Sequence, residues 1–217
     1  MHNWFSCYII ADWITTPHYF RLQNSFLREH KIDIDCITET HLVLNEKFNI
    51  LSYKIHRQDR ISNVAAGGVA ILLSNRIIHQ PAPCPNSANF ETITVTVTIE
   101  RNDYIIIAAY KPPKKQFPLN EYREIFNNNP NVILLGDLNS KNQAWGCNCT
   151  TQQGINLQSI AISSSVDIIA PWQPTHYPYN SSVIPDILDI MVSKNFHLPI
   201  IQTVLPELDS DHCPVLI

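Results

Sequence analysis

The residues best suited to chemistry in this chain are acids, an amide and a histidine that follow short apolar segments. Asp137 and Asn139 come directly after the apolar run 132–135 and Gly136. The run predicts a buried strand that Gly136 ends. Side chains two residues apart point to the same side of an extended backbone, so Asp137 and Asn139 are expected to lie together. A carboxylate beside a carboxamide suits metal or phosphate chemistry, although these residue types also form turns.

Further acids are predicted at the ends of other strands. Glu39 follows an alternating apolar segment, Asp189 lies among apolar neighbours, and Asp211 precedes the last apolar run. Asp186 is expected to be a loop acid. Several carboxylates that converge at strand ends form a hard, oxygen-rich site that suits Mg²⁺. Each acid taken alone is as easily explained as a solvated loop residue, so the prediction depends on the set.

Composition limits the kinds of partner. The chain has 217 residues, of which 45% are apolar, enough for one large α/β domain or two small ones. Its net charge of −4 gives no overall basic field, so any contact with nucleic acid must use a local patch. Lysines near the predicted strand end at Tyr110 and in the later loop are the candidates: Lys111, Lys114, Lys115 and Lys141. Tyr110 itself is either a core residue or a phosphate contact.

The amino-terminal sequence has no basic segment followed by an apolar run, so no signal peptide is predicted. No apolar stretch reaches the roughly 18 residues that a membrane-spanning helix needs. The six cysteines lack the usual zinc spacing, since Cys147 and Cys149 are separated by one residue. We therefore expect reduced thiols, an intracellular location and no membrane contact.

Strands interleaved with a few helices predict an α/β sandwich with mixed sheets. A hairpin is expected between segments 91–101 and 104–110, with Asn102 and Asp103 at its turn. The Pro- and Asn-rich segment 171–185, which contains Thr175-His-Tyr-Pro, is expected to be a loop. The predicted strands are 5–11, 32–38, 67–73, 91–101, 104–110, 132–135, 166–169, 186–193 and 215–217, and the predicted helices are 20–30, 119–127 and 156–165.

Five motifs, in this order, resemble the endonuclease/exonuclease/phosphatase superfamily. The endonuclease domain of jockey-type non-LTR retrotransposons, which is similar to apurinic endonucleases, carries them in these forms. Each motif alone is weak, but their order is specific, and the resemblance covers about residues 5–217. The motifs are Glu39-Thr-His-Leu42, Ala109-Tyr-Lys-Pro-Pro113, Gly136-Asp-Leu-Asn-Ser140 with Trp145-Gly146, Pro185-Asp-Ile-Leu-Asp-Ile-Met-Val-Ser193 and Ser210-Asp-His-Cys-Pro-Val215.

The resemblance implies a four-layer α/β sandwich, with two mixed sheets face to face and helices outside, formed as a single domain by residues 1–217. It implies a Mg²⁺-dependent endonuclease, with Mn²⁺ as a substitute, that nicks double-stranded DNA for target-primed reverse transcription. The expected partners are DNA and the reverse transcriptase domain of the same element, and the expected place of action is the nucleus. A decayed, catalytically impaired copy and a phosphatase of the same superfamily, acting on a lipid or inositol phosphate, are the alternatives.

Family roles carry over first to the metal and the attacking water. Glu39 would hold the metal, and Asp211 would add a carboxylate near it. Asp137 would orient or deprotonate the water, with Asn139 fixing it.

The remaining roles concern the phosphate. His212 would contact the scissile phosphate and Asp189 would fix its tautomer. Tyr110 would bind the phosphate or the leaving oxygen, and Lys111 and Lys141 would bind substrate.

One position departs from the family, which has Trp-Asn at the end of the first strand. Two registers fit: Trp4-Phe5 keeps the tryptophan, whereas Asp12 follows the predicted strand 5–11. We prefer Asp12, as a metal ligand, because it keeps the strand, the helix and Glu39 in step. In both registers the asparagine is missing, so the first strand is either truncated or altered.

Overall fold

The computed structural model describes residues 7–10, 17–43, 46–61, 65–83, 85, 87–206 and 210–217. Side chains at 8, 10 and 17–22 lie outside this description. The strands are β1 (Cys7–Ile10), β2 (Ile34–Thr38), β3 (Tyr53–Gln58), β4 (Val69–Ser74), β5 (His79–Pro81), β6 (Glu91–Ile99), β7 (Asn102–Tyr110), β8 (Val132–Asp137), β9 (Asp167–Ile169), β10 (Asp189–Lys194), β11 (Thr203–Val204) and β12 (Val215–Leu216). The helices are α1 (Pro17–Glu29), α2 (Leu119–Asn128) and α3 (Gln152–Ser164), with a 3₁₀ turn at Gln143–Trp145.

The strands form two six-stranded sheets, in the orders β11-β12-β1-β2-β4-β3 and β5-β6-β7-β8-β10-β9. Within the first sheet β1 runs parallel to β2 and antiparallel to β12. Within the second, β7 runs parallel to β8, whereas β8 and β10 are antiparallel. Every residue of β2, β4 and β8 is buried, which explains the nearly continuous apolar sequences of β4 and β8. Both sheets are mixed, as predicted.

The apolar side chains separate into three clusters that define four layers. One cluster fills the space between the sheets and includes Ile71 and Ile106. A second packs Phe26 of α1 on the outer face of the first sheet. The third packs Tyr122 of α2 and Leu157 of α3 on the outer face of the second. The order helix, sheet, sheet, helices confirms the predicted four-layer α/β sandwich.

Several predicted boundaries were wrong for identifiable reasons. The hairpin turn lies at Glu100 and Arg101, both with positive φ (47° and 70°), whereas Asn102 already pairs with Ile99. Positive φ at both positions matches the right-handed twist of the flanking strands. The strand predicted at 186–193 begins at Asp189, because Asp186 pairs instead with His176.

Strands β3, β5 and β11 were not predicted, and each lies at or near a sheet edge. Helix α3 begins four residues earlier than expected because Thr151 accepts a hydrogen bond from the Gly154 amide and caps it. Within the described part of the chain, no helix is long and apolar enough to cross a bilayer.

Candidate active site

Strand β8 continues through Gly136, contrary to the prediction that this residue ends it. Gly136 pairs with Ile190 and has φ 151°, and a Cβ there would overlap the carbonyl oxygen of Ala109 on β7. Only glycine permits this close approach. The strand therefore carries Asp137 to its last position, opposite Asp189 on β10.

Asp137 and Asn139 are in contact, but through a turn and not along an extended strand. Asn139 has φ 44°, in the left-handed region that asparagine tolerates. Its backbone N–H donates to Asp137 Oδ1 at 2.9 Å, and its Nδ2 donates to Asp137 Oδ2 at 2.7 Å. The same Nδ2 donates to the Lys111 carbonyl at 3.2 Å. Both oxygens of Asp137 are thus fixed at the end of β8.

Asp189 holds His212 from the neighbouring strand. Its Oδ2 lies 2.9 Å from His212 Nδ1, and both side chains are buried. Thr175 Oγ1 accepts from the backbone N–H groups of Leu188 (3.0 Å) and Asp189 (3.1 Å), which fixes the start of β10. Burial opposes a charge on His212, but the Asp189 carboxylate outweighs it and raises the pKa of His212 to about 10. His212 is therefore an imidazolium at neutral pH, suited to contact a phosphate.

Asp137 has an environment that suits a base. Burial, reinforced by the charges of Asp189 and Glu39, raises its pKa to about 8, although His212 and the Asn139 amide act in the opposite direction. A base whose pKa lies near the operating pH transfers protons most efficiently. The predicted role of Asp137 beside an attacking water is compatible with this environment.

Glu39 and Tyr110 connect the two sheets. Glu39 follows β2 in the first sheet with φ 52°, and Tyr110 ends β7 in the second. Burial opposes ionisation of Glu39, but hydrogen bonds from His41 (Nε2 to Oε2, 3.2 Å) and Tyr110 outweigh it and lower its pKa. Burial and the Glu39 charge raise the pKa of Tyr110, so its hydroxyl stays protonated and donates to the carboxylate.

Tyr110 also contacts Arg60, a residue that the sequence analysis did not single out. The guanidinium of Arg60 lies 5.9 Å from the centre of the Tyr110 ring, within the range of a cation–π contact. Glu91 holds Arg60 through an ion pair to Nε at 2.5 Å and also accepts from the Gly68 amide at 2.6 Å. Arg60 lies in a polar loop, where no spacing distinguished it from other surface arginines.

Asp211 and His212 lie beside His176, which the sequence placed in a loop. His176 Nε2 is 3.4 Å from Asp211 Oδ2, and the rings of His176 and His212 are 4.6 Å apart. Burial, with the charge of His212, lowers the pKa of His176. The preceding Thr175 was also unassigned. Both lie in the sequence Thr175-His-Tyr-Pro within segment 171–185, and the adjacent threonine and histidine were the available signal.

The predicted substrate lysines have internal partners. Lys111 is fully buried, and its Nζ donates to the Pro113 carbonyl at 3.2 Å. Lys141 forms an ion pair with buried Asp186 at 3.1 Å. Asp186 also accepts from the Asn148 amide, so it has a structural role in its loop. The roles proposed for the lysines stay predictions, as do those of the other site residues.

Asp12, and the alternative register at Trp4-Phe5, lie outside the described residues. Lys114 and Lys115 are exposed in the loop after β7.

The donor set fits a divalent cation. Asp189 Oδ1 and Asp211 Oδ1 are buried and have no hydrogen-bond partner. Glu39 is ionised and partly exposed, and Asp137 feels the charges of both Asp189 and Glu39. Buried carboxylates whose oxygens lack partners are costly unless a cation compensates them.

The fold is similar to several solved structures. The endonuclease domain of TRAS1, a telomere-specific non-LTR retrotransposon, superposes with a TM-score of 0.79 and 14% identity over 98% of this chain and 96% of that chain. The AP endonuclease LMAP from Leishmania major superposes with a TM-score of 0.77 and 12% identity over 98% and 86%. These likenesses establish a DNase I-like fold.

Curated relatives are similar in sequence. The RNA-directed DNA polymerase from mobile element jockey of Drosophila funebris is 29% identical over 194 residues, covering 88% of this chain and 21% of that protein. The probable RNA-directed DNA polymerase from transposon X-element of Drosophila melanogaster is 30% identical over 199 residues, covering 88% and 22%. The chain thus spans about a fifth of the length of these relatives.

A family description matches the region that carries most of the site. Residues 104–216, just over half of the chain, fit the family described as Endonuclease-reverse transcriptase, and they include Tyr110, Asp137, Asp189 and His212. The family match, the relatives and the fold all agree with the superfamily that the order of the motifs indicated. The chain belongs to the endonuclease-reverse transcriptase family of the endonuclease/exonuclease/phosphatase superfamily.

Proposed function

We propose that this chain is a Mg²⁺-dependent DNA endonuclease that hydrolyses one phosphodiester bond of target DNA. The observation that carries the proposal is the pairing of two units on adjacent strands. Asp137 with Asn139 ends β8, and Asp189 with His212 lies directly opposite at the start of β10. Glu39, which follows β2 in the facing sheet, and Tyr110, at the end of β7, form a hydrogen-bonded pair beside these two units. A base, a cationic hydrogen-bond donor for phosphate and an ionised carboxylate therefore share one site.

The side chains divide the reaction between them. Asp137 accepts a hydrogen bond from the attacking water and takes its proton, while Asn139 keeps the carboxylate in position. His212, held by Asp189, contacts the phosphoryl oxygens on which negative charge develops. Tyr110 donates its single hydroxyl proton to Glu39 in the free site and would turn it to the leaving oxygen once substrate is bound.

Glu39 and Asp211 would hold Mg²⁺, with Asp12 as the proposed third oxygen ligand. When bound, the ion stabilises the charge that builds up on the transferring phosphoryl group. Mn²⁺ accepts the same oxygen ligands and would substitute.

The biological setting follows from the relatives, whose names describe RNA-directed DNA polymerases of mobile elements. We propose that the nick provides the primer end for target-primed reverse transcription by a polymerase domain of the same element. Double-stranded DNA is then the substrate, and the reaction takes place in the nucleus.

A supercoiled plasmid tests the activity directly. Purified chain should convert it to open circles with Mg²⁺ and fail with EDTA. His212→Ala should abolish nicking, whereas the matched His197→Ala, at an exposed histidine, should leave it unchanged. Failure of the well-folded wild-type chain to nick would refute the active-enzyme proposal.

Two further experiments distinguish the active nuclease from an impaired copy and from a phosphatase. Asp12→Asn restores the family asparagine, so a marked gain in nicking would identify an impaired copy. Release of inorganic phosphate from an inositol phosphate, without plasmid nicking, would identify a phosphatase instead.

A further inference from the structure

The geometry points to a second cation site, formed by His176, Asp211 and His212, that takes a borderline transition ion such as Zn²⁺ and blocks the site. One potential ligand atom of each residue lies within 4.8 Å of the others. Two imidazoles and one carboxylate differ in chemistry from the all-oxygen set proposed for Mg²⁺. Imidazole nitrogen suits Zn²⁺, whereas Mg²⁺ prefers oxygen.

The backbone holds the two histidines side by side. Residues 175–177 pair with 211–213 through the Tyr177 N–H to the Asp211 carbonyl and the Cys213 N–H to the Thr175 carbonyl, both 2.6 Å. These bonds flank the His176–His212 pair, which is the close, non-hydrogen-bonded type of antiparallel pair. On its other edge, segment 175–177 pairs with Asp186 through three backbone bonds: the Thr175 and His176 N–H groups donate to the Asp186 carbonyl, both at 3.0 Å, and the Asp186 N–H donates to the His176 carbonyl at 3.1 Å. The cluster is therefore fixed by main-chain pairing on both sides.

The distances suit a tetrahedral ion. His176 Nε2 and Asp211 Oδ2 are 3.4 Å apart, longer than a good hydrogen bond. Two ligands of a tetrahedral zinc ion, with bonds of about 2.05 Å, are about 3.3 Å apart. His212 Nδ1 is held by Asp189, which leaves Nε2 for the ion, and binding there releases the Nε2 proton of the imidazolium to solvent. This carboxylate–histidine arrangement is the outer-shell partnership that orients metal-bound imidazoles.

One oxygen of the cluster has no hydrogen-bond partner, and the cluster is open enough to solvent for a further ligand. Asp211 Oδ1 is buried without a partner. The side chains of His176 and Asp211 are 21% and 19% exposed, so an ion can enter from solvent. Three protein ligands leave the fourth tetrahedral position to water.

Binding at this cluster would compete with the reaction. An ion on His212 Nε2 removes the group that contacts phosphate, and one on Asp211 removes a proposed Mg²⁺ ligand. Zn²⁺ should therefore inhibit nicking even in excess Mg²⁺. This consequence rests on the proposed function, whereas the binding of Zn²⁺ does not.

Calorimetric titration of the chain with ZnCl₂ in excess MgCl₂ tests the binding. A Cys149→Ser background removes an exposed thiol that would compete for zinc. One equivalent should bind, and His176→Gln, which keeps a hydrogen-bond donor to Asp211, should weaken the affinity by at least about 10-fold, the lower end of the loss seen for outer-shell partners alone. Asp211→Asn should weaken it similarly, which guards against a folding defect in one variant.

His79→Gln is the matched control. His79 also lies against another histidine, His56, with ring centres 4.9 Å apart, but the described residues place no carboxylate with them as a third ligand. The zinc affinity of the His79→Gln variant should equal that of the Cys149→Ser parent. Absence of stoichiometric zinc binding, or equal binding by the parent and His176→Gln, would overturn the site whether or not the chain nicks DNA. Loss of binding in Glu39→Gln would overturn it too, because the ion would then occupy the Glu39 site.

Discussion

At the scale of single residues, two acids that face each other across neighbouring strands have different partners. Asp137 is fixed by neutral donors of Asn139, whereas Asp189 is paired with an imidazole. The first arrangement leaves a buried carboxyl group with a raised pKa, and the second creates a cation at His212. This difference fits the proposed roles, in which Asp137 accepts a proton and Asp189 supports the phosphate contact of His212.

We expect Asp189→Asn to reduce the nicking rate by about 100-fold, the lower end of the loss that follows removal of one group stabilising transition-state charge, with little change in DNA affinity. The amide cannot compensate a positive charge on His212. NMR titration of the His212 ring should accordingly show a lower pKa than in the wild type. Asp167→Asn, at an exposed acid on β9, is the control. An unchanged His212 pKa would contradict the role assigned to Asp189.

The sequence predicted Asp137, Asn139, Asp189 and His212 because each stands in a local motif beside an apolar run. It did not predict His176, because the contact of His176 with His212 depends on pairing between segments 36 residues apart. Arg60 was missed for the same reason. Its importance comes from the Tyr110 ring on a different sheet, and nothing near Arg60 in sequence indicates that contact.

At the scale of strands, fully buried segments were predictable and edge strands were not. Strands β4 and β8 are nearly continuous apolar runs, which only a doubly covered strand tolerates. Strand β3, with the sequence Tyr-Lys-Ile-His-Arg-Gln, lies at the edge of its sheet, where charged side chains are usual. Such a sequence has no periodic signal that distinguishes it from a loop.

Gly136→Ala should prevent folding or cost several kcal/mol, because its Cβ would overlap a backbone carbonyl that cannot move without breaking the β7–β8 pairing. Gly146→Ala is the matched control. Gly146 also has positive φ (88°), but its Cβ would meet only the flexible end of Ile187 at 3.3 Å. Chemical denaturation should show a loss of only about 1 kcal/mol for the control. Equal losses would contradict the close approach at β7.

Asp35 in β2 should make stability depend on pH. It is buried, accepts from Gln23 at 2.6 Å and has a second oxygen without a partner. Burial raises its pKa from 3.8 to about 8, so the folded chain binds a proton that the unfolded chain has lost between these values. The stabilising contribution is full below about pH 4 and disappears as pH rises through about 8.

The measurement is the free energy of unfolding between pH 5 and 8 for the wild type and Asp35→Asn. The wild type should lose up to about 1.4 kcal/mol per pH unit more than the variant. Asp167→Asn, at an exposed acid, should follow the wild type. Parallel curves for the wild type and Asp35→Asn would show that Asp35 is ionised in the folded chain.

At the scale of the whole molecule, the proposed metal ligands are held by different parts of the fold. Glu39 follows β2, whereas Asp211 precedes β12. A bound ion would therefore link distant segments and stabilise the folded state in proportion to its concentration. The two-sheet fold was predicted from the order of the motifs. The contact between Asp211 and His176 was not, because it depends on the conformation of the loops between strands.

Mg²⁺ at about 100 times its dissociation constant should add about 2.7 kcal/mol of stability. For a chain of this size, that corresponds to an increase in Tm of about 5–10 °C over an EDTA-treated sample. Differential scanning fluorimetry provides the comparison. Glu39→Gln should lose most of the increase, and Glu124→Gln, on α2, should retain it. An equal increase in both variants would place Mg²⁺ elsewhere.

The position of β12 has a consequence for synthesis of the protein. Strand β12 lies between β11 and β1, so these two strands are joined in one sheet only when Val215 and Leu216 are present. His212 and Asp211 belong to the same final stretch. A growing polypeptide that already contains Glu39, Tyr110 and Asp137 would still lack the proposed phosphate contact and part of the proposed metal site. Domains fold as units, so the chain should stay inert toward DNA until β12 has been synthesised and has paired with β1.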